Sequence, residues 1–452
     1  MNVLLLILFL AGAAFGYTNL GGGVYQSDGS ASDTQAAINA ALDGQTVQIP
    51  NGTYTWTTGV AISGKAITLT GQSAGGVTIK NSARGLFDIL SVDESTTGNV
   101  IIANLGMVDA GSTPDPSSGL NFQLGVNHTS GGQPVLVHDC YFSGNGSTMV
   151  YTVSWATNGG VIWNCTFDSL FTFATGIEFE NINGGTAWTT LSTMGSADTS
   201  GTANTYVEDC TFLNGWIAGM DFGDNARTVI RHNTFKDTAI YCHGQDSSPA
   251  GPRHYEIYNN TFIYDGSPSP YPLNLQDWVT LRGATGVVFG NTFPDIQFNH
   301  NSVAMFIYGI FESPCYTQYP VPRQIGQTWV GDGGYSYPQD PSDGSGYGTD
   351  PLYVWGNSGT GQSQVNAIPI PDLCGGHNEQ ISNFLVLGRD YVLNSKPGYT
   401  PYPYPHPLRV MVSATPTPTP TPSPSPSVSP TPTPMPTPTP TPTPGHKRHH
   451  HQ

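Results

Sequence analysis

Acidic side chains, a tyrosine and a histidine occupy corresponding places in three segments of the chain, GIEFENI, GMDFGDN and AIYCHGQD. If the apolar residues of these segments face inward, strand alternation directs the polar residues to one outward surface. The candidate catalytic residues are Glu178, Glu180, Asp221, Asp224, Tyr241 and His243. Crowded carboxylates raise the pKa of one of them, and glycoside hydrolysis needs such a protonated acid beside an ionised carboxylate. The same residues also suit a solvated acidic face that has no catalytic task.

A second group of candidates follows from a phrase that recurs as VLVHDCYF, VIWNCTF, YVEDCTF, VIRHNTF, YEIYNNTF and VVFGNTF. Strand alternation within the phrase predicts an outward column of His138, Trp163, Glu208, Arg231, Tyr258 and Phe289. Aromatic rings can stack on pyranose rings while charged groups bind hydroxyls or carboxylates, so the column has the composition of a sugar-binding groove. Alternatively, Glu208 and Arg231 form a surface ion pair between exposed aromatic residues.

The spacing of this phrase predicts the elements that hold both groups. The phrase ends at Phe142, Phe167, Phe212, Phe235, Phe262 and Phe293. The period lies mostly in the twenties, and the longer gap between Phe167 and Phe212 fits one turn with an insertion at residues 183–203. Such a period, with one phrase rich in Val, Ile and aromatic residues in each turn, indicates a solenoid of strands.

Positions within the phrase have predicted structural roles. The final Phe and the apolar residue five positions before it should face the core. The cysteines at residues 140, 165 and 210 should stack as small buried side chains. We predict that Asn233, Asn260 and Asn291 adopt a left-handed backbone and hydrogen-bond to one another on successive turns.

A helix should precede the repeats. The sequence SDTQAAINAAL predicts a helix over residues 32–42, with Asp33 as its cap and an apolar face of alanine, isoleucine and leucine. The following GQTVQIPNGTYTW predicts strands interrupted by a Pro-Asn-Gly turn. The helix would cover the open end of the stack of strands.

The N-terminal helix, the TVQIPNGTY segment and the repeated phrase together resemble the right-handed parallel β-helix proteins of the pectate-lyase-like superfamily, over about Gln26 to Phe311. The resemblance implies an all-β, right-handed single-stranded parallel β-helix with an N-terminal capping helix. It does not choose a function, because this fold hosts lyases, hydrolases, esterases, adhesins and phage tailspikes.

The acidic segments are also similar to the site of polygalacturonase-like hydrolases, which have carboxylates on neighbouring turns and a histidine in a Gly-His-Gly turn. Here Asp221 and Asp224 precede Cys242-His243-Gly244 by about one turn. The chain departs from that pattern because it has no Asn-Thr-Asp, no adjacent Asp-Asp and no Arg-Ile-Lys after the histidine.

A polysaccharide lyase is the other enzymatic interpretation. Lyase chemistry needs a base that removes the proton next to a uronate carboxylate, and a cation that neutralises this carboxylate. Arg227, Arg231 and Arg253 are candidate neutralising groups, and His243, Tyr241 or an arginine is a candidate base. The acidic residues could instead hold Ca²⁺, which is a possible cofactor, although the sequence has no ordered Ca²⁺ motif. Glu256 should point outward, where a surface salt bridge is its simplest role.

The composition and the two ends of the chain limit where the protein can be located and what it can bind. The net charge of −17 argues against binding of nucleic acid. Residues 1–16 have the features of a secretory signal peptide, with an apolar run too short to span a membrane, so we expect export. Residues 17–311 should form the β-helix domain, and residues 312–414 irregular closing turns and a C-terminal cap. Residues 415–452 should be a disordered Pro/Thr-rich tail with a basic, His-rich end.

The sequence therefore predicts a secreted or cell-surface, monomeric β-helix protein whose partner is an extracellular polysaccharide, with a uronate-containing polymer as one alternative. Glycoside hydrolase and polysaccharide lyase are the enzymatic alternatives, and the alternative from another class is a non-catalytic glycan-binding or adhesin-like protein. The acids beside a histidine favour an enzyme, and the incomplete hydrolase pattern favours the adhesin. Cys315 and Cys374 could pair as a disulfide in an exported protein, which spacing alone does not establish.

Overall fold

The computed structural model describes residues 16–83, 88–109, 122–144, 151–168, 175–179, 192–214, 218–223, 225–242, 251–265, 277–294, 303–308, 325–328, 348–359, 366–368 and 386–413. Residues 1–410 belong to one compact unit, and residues 411–452 are assigned to a second. Within the first unit, three sheets hold nearly all described strands. We name them sheets A, B and C in the order in which each turn of the chain visits them.

Sheet A has 13 strands. In spatial order they are Thr18–Gly21, Val24–Gln26, Thr46–Ile49, Thr68–Gly71, Ile101–Ala103, Leu136–His138, Val161–Trp163, Thr205–Glu208, Arg227–Arg231, His254–Tyr258, Thr285–Phe289, Leu352–Trp355 and Tyr391–Val392. The first pair is antiparallel, and the other described pairs of this sheet are parallel.

Sheets B and C are parallel. Sheet B comprises Gly52–Trp56, Val77–Asn81, Gly106–Asp109, Tyr141–Ser143, Thr166–Asp168, Thr211–Leu213, Thr234–Lys236 and Thr261–Ile263. Sheet C comprises Val60–Ile62, Asp88–Asp93, Phe122–Asn127, Tyr151–Ala156, Thr175–Phe179, Ala218–Phe222, Ile240–Cys242, Asp277–Leu281, Val303–Tyr308 and Asn366–Ile368. Gln327–Thr328 and Gly348–Thr349 form a separate antiparallel pair. The helices are Ala31–Ala40 and Pro407–Ser413, with a 3-10 turn at Gly195–Ala197.

Successive turns pass through sheets A, B and C, and each strand pairs with its equivalent in the next turn. This confirms the predicted all-β, right-handed single-stranded parallel β-helix with an N-terminal capping helix. The strand Thr166–Asp168 pairs directly with Thr211–Leu213, so the long gap in the repeat is one turn with an insertion, as predicted. Sheet A continues beyond residue 311, because Leu352–Trp355 pairs with Thr285–Phe289.

The N-terminal helix forms close to the predicted position but with a different cap. It runs from Ala31 to Ala40, and the Ser30 hydroxyl accepts a hydrogen bond from Asp33 N at 3.2 Å. The prediction that Asp33 caps the helix is therefore wrong. The Asp33 carboxylate instead accepts hydrogen bonds from the backbone N–H groups of Tyr17 (2.9 Å) and Asp28 (2.8 Å), which ties the incoming chain to the helix.

The core contains a column of phenylalanine rings, as the phrase predicts. Phe142, Phe167, Phe212, Phe235, Phe262 and Phe293 are buried, and neighbouring rings stack with centroids 4.7–5.2 Å apart. The three cysteines of the phrase are buried free thiols, in agreement with the prediction. Offset aromatic contact adds to the burial of large apolar surfaces, so this column fixes the register of every turn that it crosses.

An asparagine ladder runs beside the phenylalanine column. The Nδ2 groups of Asn233, Asn260 and Asn291 each donate to the Oδ1 of the next ladder residue, at 2.9–3.1 Å. The ladder is thus confirmed, and Asn357 extends it by one turn. The predicted left-handed backbone is wrong for these residues: the residue before each one has positive φ, with values of 59° at His232, 55° at Asn259 and 65° at Gly290. The turn places its sharp corner one residue earlier, and this directs the ladder side chain inward.

Among the described residues, no helix is both long enough and apolar enough to cross a membrane. The predicted signal peptide, the Pro/Thr-rich tail, and Cys315 and Cys374 lie almost entirely or entirely outside the described residues. Those expectations therefore stay predictions.

Candidate functional site

The predicted column of sheet C is present in the predicted register. Glu178 pairs with Asp221, and Asp221 pairs with Tyr241, on three successive strands. Their apolar neighbours are buried in the core, so alternation places the two carboxyls and the phenol on the outward side of the sheet. The column continues to Ser154 on one side and to Thr280 on the other.

The two carboxyl groups of this column are outward but not exposed. The relative exposure is 2% for Glu178 and 3% for Asp221, whereas Tyr241 is partly exposed. Neighbouring strands of a sheet are about 4.8 Å apart, so the two acids begin from backbones at that separation. A pair of acids removed from bulk water has a stronger effect on each other and on a ligand than the same pair on an open surface.

An arginine that the sequence prediction missed lies next to the column. The guanidinium carbon of Arg282 is 5.6 Å from the centroid of the Tyr241 ring, and Arg282 N donates to Cys242 Sγ at 3.5 Å. Arg282 follows the strand Asp277–Leu281, one turn after Tyr241. A sequence signal for it was absent because Arg282 stands just past a strand that the repeated phrase does not include.

A third carboxyl that the sequence prediction missed lies over the same side of sheet C. A Cβ at Gly125 would be 2.4 Å from the carboxyl carbon and from both carboxylate oxygens of Asp88, so the absence of a side chain at Gly125 makes room for this group. Gly125 faces outward, because Leu124 and Val126 on either side of it are fully buried in the core. Burial raises the pKa of Asp88 to about 6.

Three of the predicted catalytic residues, Glu180, Asp224 and His243, lie outside the described residues, so their placement and roles stay predictions. Within the described part of the chain, no group of three or more His, Cys, Asp or Glu side chains is arranged to hold a metal ion. A Ca²⁺ site that combines Glu178, Asp221 and Asp224 likewise stays a prediction.

The second predicted column, on sheet A, has the predicted order but not the predicted exposure. His138, Trp163, Glu208, Arg231, Tyr258 and Phe289 pair in register on successive strands. Trp163, Glu208, Arg231 and Tyr258 are at most 5% exposed. The expectation of an open sugar-binding groove is therefore wrong. The reason is that residues 399–409, which we name the C-terminal strap, pack over the outward face of these strands.

Arg231 is bound on all sides by the protein itself. Its Nε and Nη2 groups donate to Glu208 Oε1, and Nη1 donates to the Tyr258 hydroxyl at 2.7 Å. The remaining donors reach the carbonyl oxygens of Tyr402 (2.6 Å) and Pro403 (2.8 Å) in the C-terminal strap. A guanidinium has five N–H donors, so none remains for a substrate carboxylate. The proposed neutralising role of Arg231 is therefore corrected to a structural one.

Glu208 and its neighbours bind the strap as well. Glu208 Oε2 accepts hydrogen bonds from His406 N (3.1 Å) and Arg409 Nη1 (2.8 Å). Arg409 also pairs with Asp209 and lies 5.7 Å from the Trp163 ring centroid. Burial would lower the pKa of Arg231, but the nearby Tyr258 and Glu208 raise it above its ordinary value. Glu208 and Arg231 are thus a buried ion pair in an interface, rather than the surface pair of the alternative interpretation.

The next outward column of sheet A contains Glu256, which is fully buried. Its carboxylate accepts hydrogen bonds from the Tyr399 hydroxyl (2.5 Å) and from Gly195 N (2.8 Å). Burial raises the pKa of Glu256 to about 7, although both hydrogen bonds oppose this rise. The expected surface salt bridge of Glu256 is wrong, because the insertion and the C-terminal strap both cover this position.

The other arginines predicted to neutralise substrate are also buried. Arg253 is 0% exposed and Arg227 is 6% exposed. Burial lowers the pKa of Arg253 to about 9 and that of Arg227 to about 10. His254, beside them, is buried with its pKa well below the ordinary value, first because of burial and then because of both arginines. Neither arginine belongs to the outward side of sheet C where the acids lie.

No protein-family model and no curated protein matches the chain. Among solved structures, it is similar to an alginate lyase from Paenibacillus sp. str. FPU-7, with 14% identity over 76% of this chain and 99% of that chain and a TM-score of 0.42. A PL6 family polysaccharide lyase from Pseudopedobacter saltans has 14% identity over 76% and 78%, with a TM-score of 0.47. A Family 28 exopolygalacturonase from Yersinia enterocolitica has 10% identity over 78% and 72%, with a TM-score of 0.35.

Proposed function

We propose that this protein is an exported carbohydrate-active enzyme that hydrolyses a glycosidic bond of an extracellular polysaccharide on the outward side of sheet C. The observation that carries the proposal is the in-register pair Glu178 and Asp221, two acids removed from bulk water on neighbouring strands. Glycoside hydrolysis requires an ionised carboxylate that acts on the attacking water, and rigid strands hold such a group more accurately than loops do.

The neighbours of the acid pair suit a sugar polymer. Tyr241 continues the column with a partly exposed ring that can stack on a pyranose or donate to a hydroxyl. Arg282, on the far side of this ring, supplies positive charge for a uronate carboxylate. In this account Glu178 and Asp221 orient and deprotonate the attacking water.

A lyase is the second candidate, and the contact between Arg282 and Tyr241 favours it. An arginine can neutralise a uronate carboxylate, and a tyrosine held beside that arginine can act as the base that removes the adjacent proton. In this mechanism Tyr241, rather than the acid pair, carries the chemistry.

The test is incubation of the mature protein with pectin, pectate and alginate, followed by ultraviolet absorbance and by reducing ends. New reducing ends without a rise in absorbance would support the hydrolase. A rise in absorbance reports the unsaturated product of a lyase and would support the second candidate function instead of the hydrolase. If the protein binds these polymers without cleaving any polymer of a broader glycan panel, the adhesin alternative replaces both.

A further inference from the structure

We infer that Asp88 is a further catalytic residue, the general acid that protonates the glycosidic oxygen while Glu178 serves the attacking water. This inference rests on the proposed hydrolase function. It adds a residue from a strand four turns before that of Asp221, in a part of the chain that the repeated phrase does not cover.

The position of the Asp88 carboxyl is fixed by Gly125. Any side chain at Gly125 would collide with that carboxyl, because its Cβ would lie 2.4 Å from the carboxyl carbon. The backbone of Gly125 does not have the positive φ that favours glycine. Glycine at this position therefore leaves room for the Asp88 carboxyl and is not needed for the backbone conformation. The carboxyl occupies the place in the outward column that a side chain at Gly125 would otherwise fill.

The spacing along the column leaves room for a sugar and a water between the Asp88 carboxyl, as the acid, and Glu178, as the base. Gly125 pairs with Ser154, and Ser154 pairs with Glu178, so two strand steps separate the Asp88 carboxyl from Glu178. Two steps amount to about 9.6 Å between backbones. Carboxyl groups about 6.5–9.5 Å apart leave room for a water between the base and the anomeric carbon. The backbones of Glu178 and Asp221, one step apart, are separated by about 4.8 Å, which is less than this range.

The surroundings of Asp88 keep it protonated at mildly acidic pH. The flanking strands Val60–Ile62 and Phe122–Asn127 contain no titratable side chain. Burial is the one resolved cause of its raised pKa, which is about 6. A half-buried carboxyl that has no cationic partner among the described residues holds a proton that it can transfer, which is the property required of a general acid.

The proposed step takes one proton from Asp88 and delivers another to Glu178. The Asp88 proton moves to the glycosidic oxygen as the bond from that oxygen to the anomeric carbon breaks, and the bond electrons remain on the oxygen. A water oxygen forms the new bond to the anomeric carbon, and Glu178 accepts the proton that this water releases. One water is consumed, and solvent returns the proton from Glu178 to Asp88.

The experiment compares wild type with Asp88→Asn and Gly125→Ala on two substrates. The first is whichever of pectate, pectin or alginate the wild type hydrolyses, and the second is a nitrophenyl glycoside of the same sugar. A nitrophenolate leaves without protonation. Asp88→Asn should therefore lose about 10²–10⁴-fold of polymer hydrolysis but keep most of its turnover of the nitrophenyl glycoside. Asp265→Asn, an exposed acid outside sheet C, is the matched control and should behave like wild type on both substrates.

Gly125→Ala tests the geometry without removing the acid. Its Cβ must displace the Asp88 carboxyl, so polymer hydrolysis should fall at least tenfold. In the wild type the rate should fall as pH rises past about 6, and Asp88→Asn should abolish this limb of the pH profile. Full polymer activity of Asp88→Asn, or equal losses on both substrates, would overturn the role of Asp88 while leaving the hydrolase intact. Absence of hydrolysis by wild type would instead overturn the proposed function and this inference with it.

Discussion

Glu208 Oε2 accepts a hydrogen bond from Arg409 Nη1 at 2.8 Å, although 201 residues separate them in the chain. The other carboxylate oxygen, Oε1, accepts from Arg231. One buried carboxylate thus joins sheet A to the C-terminal strap. Glu208 and Arg231, which the sequence suggests as part of a ligand groove, instead bind the C-terminal strap to sheet A.

This junction predicts a large loss of stability on removal of its centre. Glu208→Gln should lower the free energy of unfolding by about 3–5 kcal/mol, because it leaves the buried Arg231 without its counter-ion. Arg409→Ala should cost less, since Glu208 keeps its bonds to Arg231 and His406. Urea unfolding followed by fluorescence measures both changes. Lys236→Ala, which removes an exposed ion pair with Asp265, is the control and should leave the unfolding midpoint unchanged. A Glu208→Gln variant as stable as wild type would contradict the account of this junction.

Glu256 predicts a defined dependence of stability on pH. Its pKa is about 7 in the folded protein, above the ordinary value of 4.5, so the folded state binds the proton more tightly. The stabilisation from this group is complete below pH 4.5 and is lost as pH rises to about 7. Glu256→Gln cannot ionise. At pH 8 its free energy of unfolding should therefore exceed that of wild type by up to about 3 kcal/mol, relative to their difference at pH 4.5. A difference that stays constant between these pH values would show that Glu256 is not buried as described.

Asp88 makes the same kind of prediction with a smaller magnitude. Its folded pKa is raised from 3.8 to about 6, so its contribution favours the folded state below pH 3.8 and disappears as pH passes 6. Between pH 4 and pH 8, the free energy of unfolding of Asp88→Asn should rise by about 1–2 kcal/mol relative to that of wild type. This figure allows for the exposed part of the carboxyl. Thermal unfolding at the two pH values measures this gain. A variant that becomes relatively less stable at pH 8 would mean that the ionised carboxylate has a stabilising partner.

The turn geometry predicts different effects on stability for substitutions at two adjacent positions. Asn259 has a φ of 55° and is exposed, so Asn259→Gly should change stability little, because glycine tolerates this conformation. Asn260 is 1% exposed and donates to Ile230 O and Asn291 Oδ1, both at 2.9 Å. Asn260→Ala should cost about 2–4 kcal/mol, because it leaves several buried groups without hydrogen bonds. Chemical unfolding of the two variants side by side checks this, and equal costs would contradict the assigned corner of the turn.

The repeated phrase predicted the register of the fold because its signal recurs in each turn. Identical placement of an inward Phe and an inward Val or Ile determines which residues of the phrase face outward. Glu178, Asp221 and Tyr241 follow instead from the apolar residues that alternate with them in the three segments of sheet C. The prediction placed the left-handed residue of each turn one position too late, because asparagine is common both in left-handed corners and in ladders.

Burial of the sheet A column could not be predicted from the same signal. The segment that covers Arg231 begins about 170 residues later, in a stretch rich in proline and tyrosine that has no period matching the turns. Asp88 and Arg282 were missed for a related reason. Their positions depend on a space at Gly125 and on the face of the Tyr241 ring, which are contacts between turns rather than features of one phrase.

The most direct test of the central claim is the rate at which Asp221→Asn and Glu178→Gln release reducing ends from the polysaccharide that the wild type cleaves. The amides keep the shape of the two side chains, so circular dichroism and the melting temperature should stay close to wild type. Each variant should lose about 10²–10⁴-fold of this rate, and the control Asp265→Asn should keep full activity. Wild-type rates in both folded variants would contradict the assignment of the active site to the outward side of sheet C.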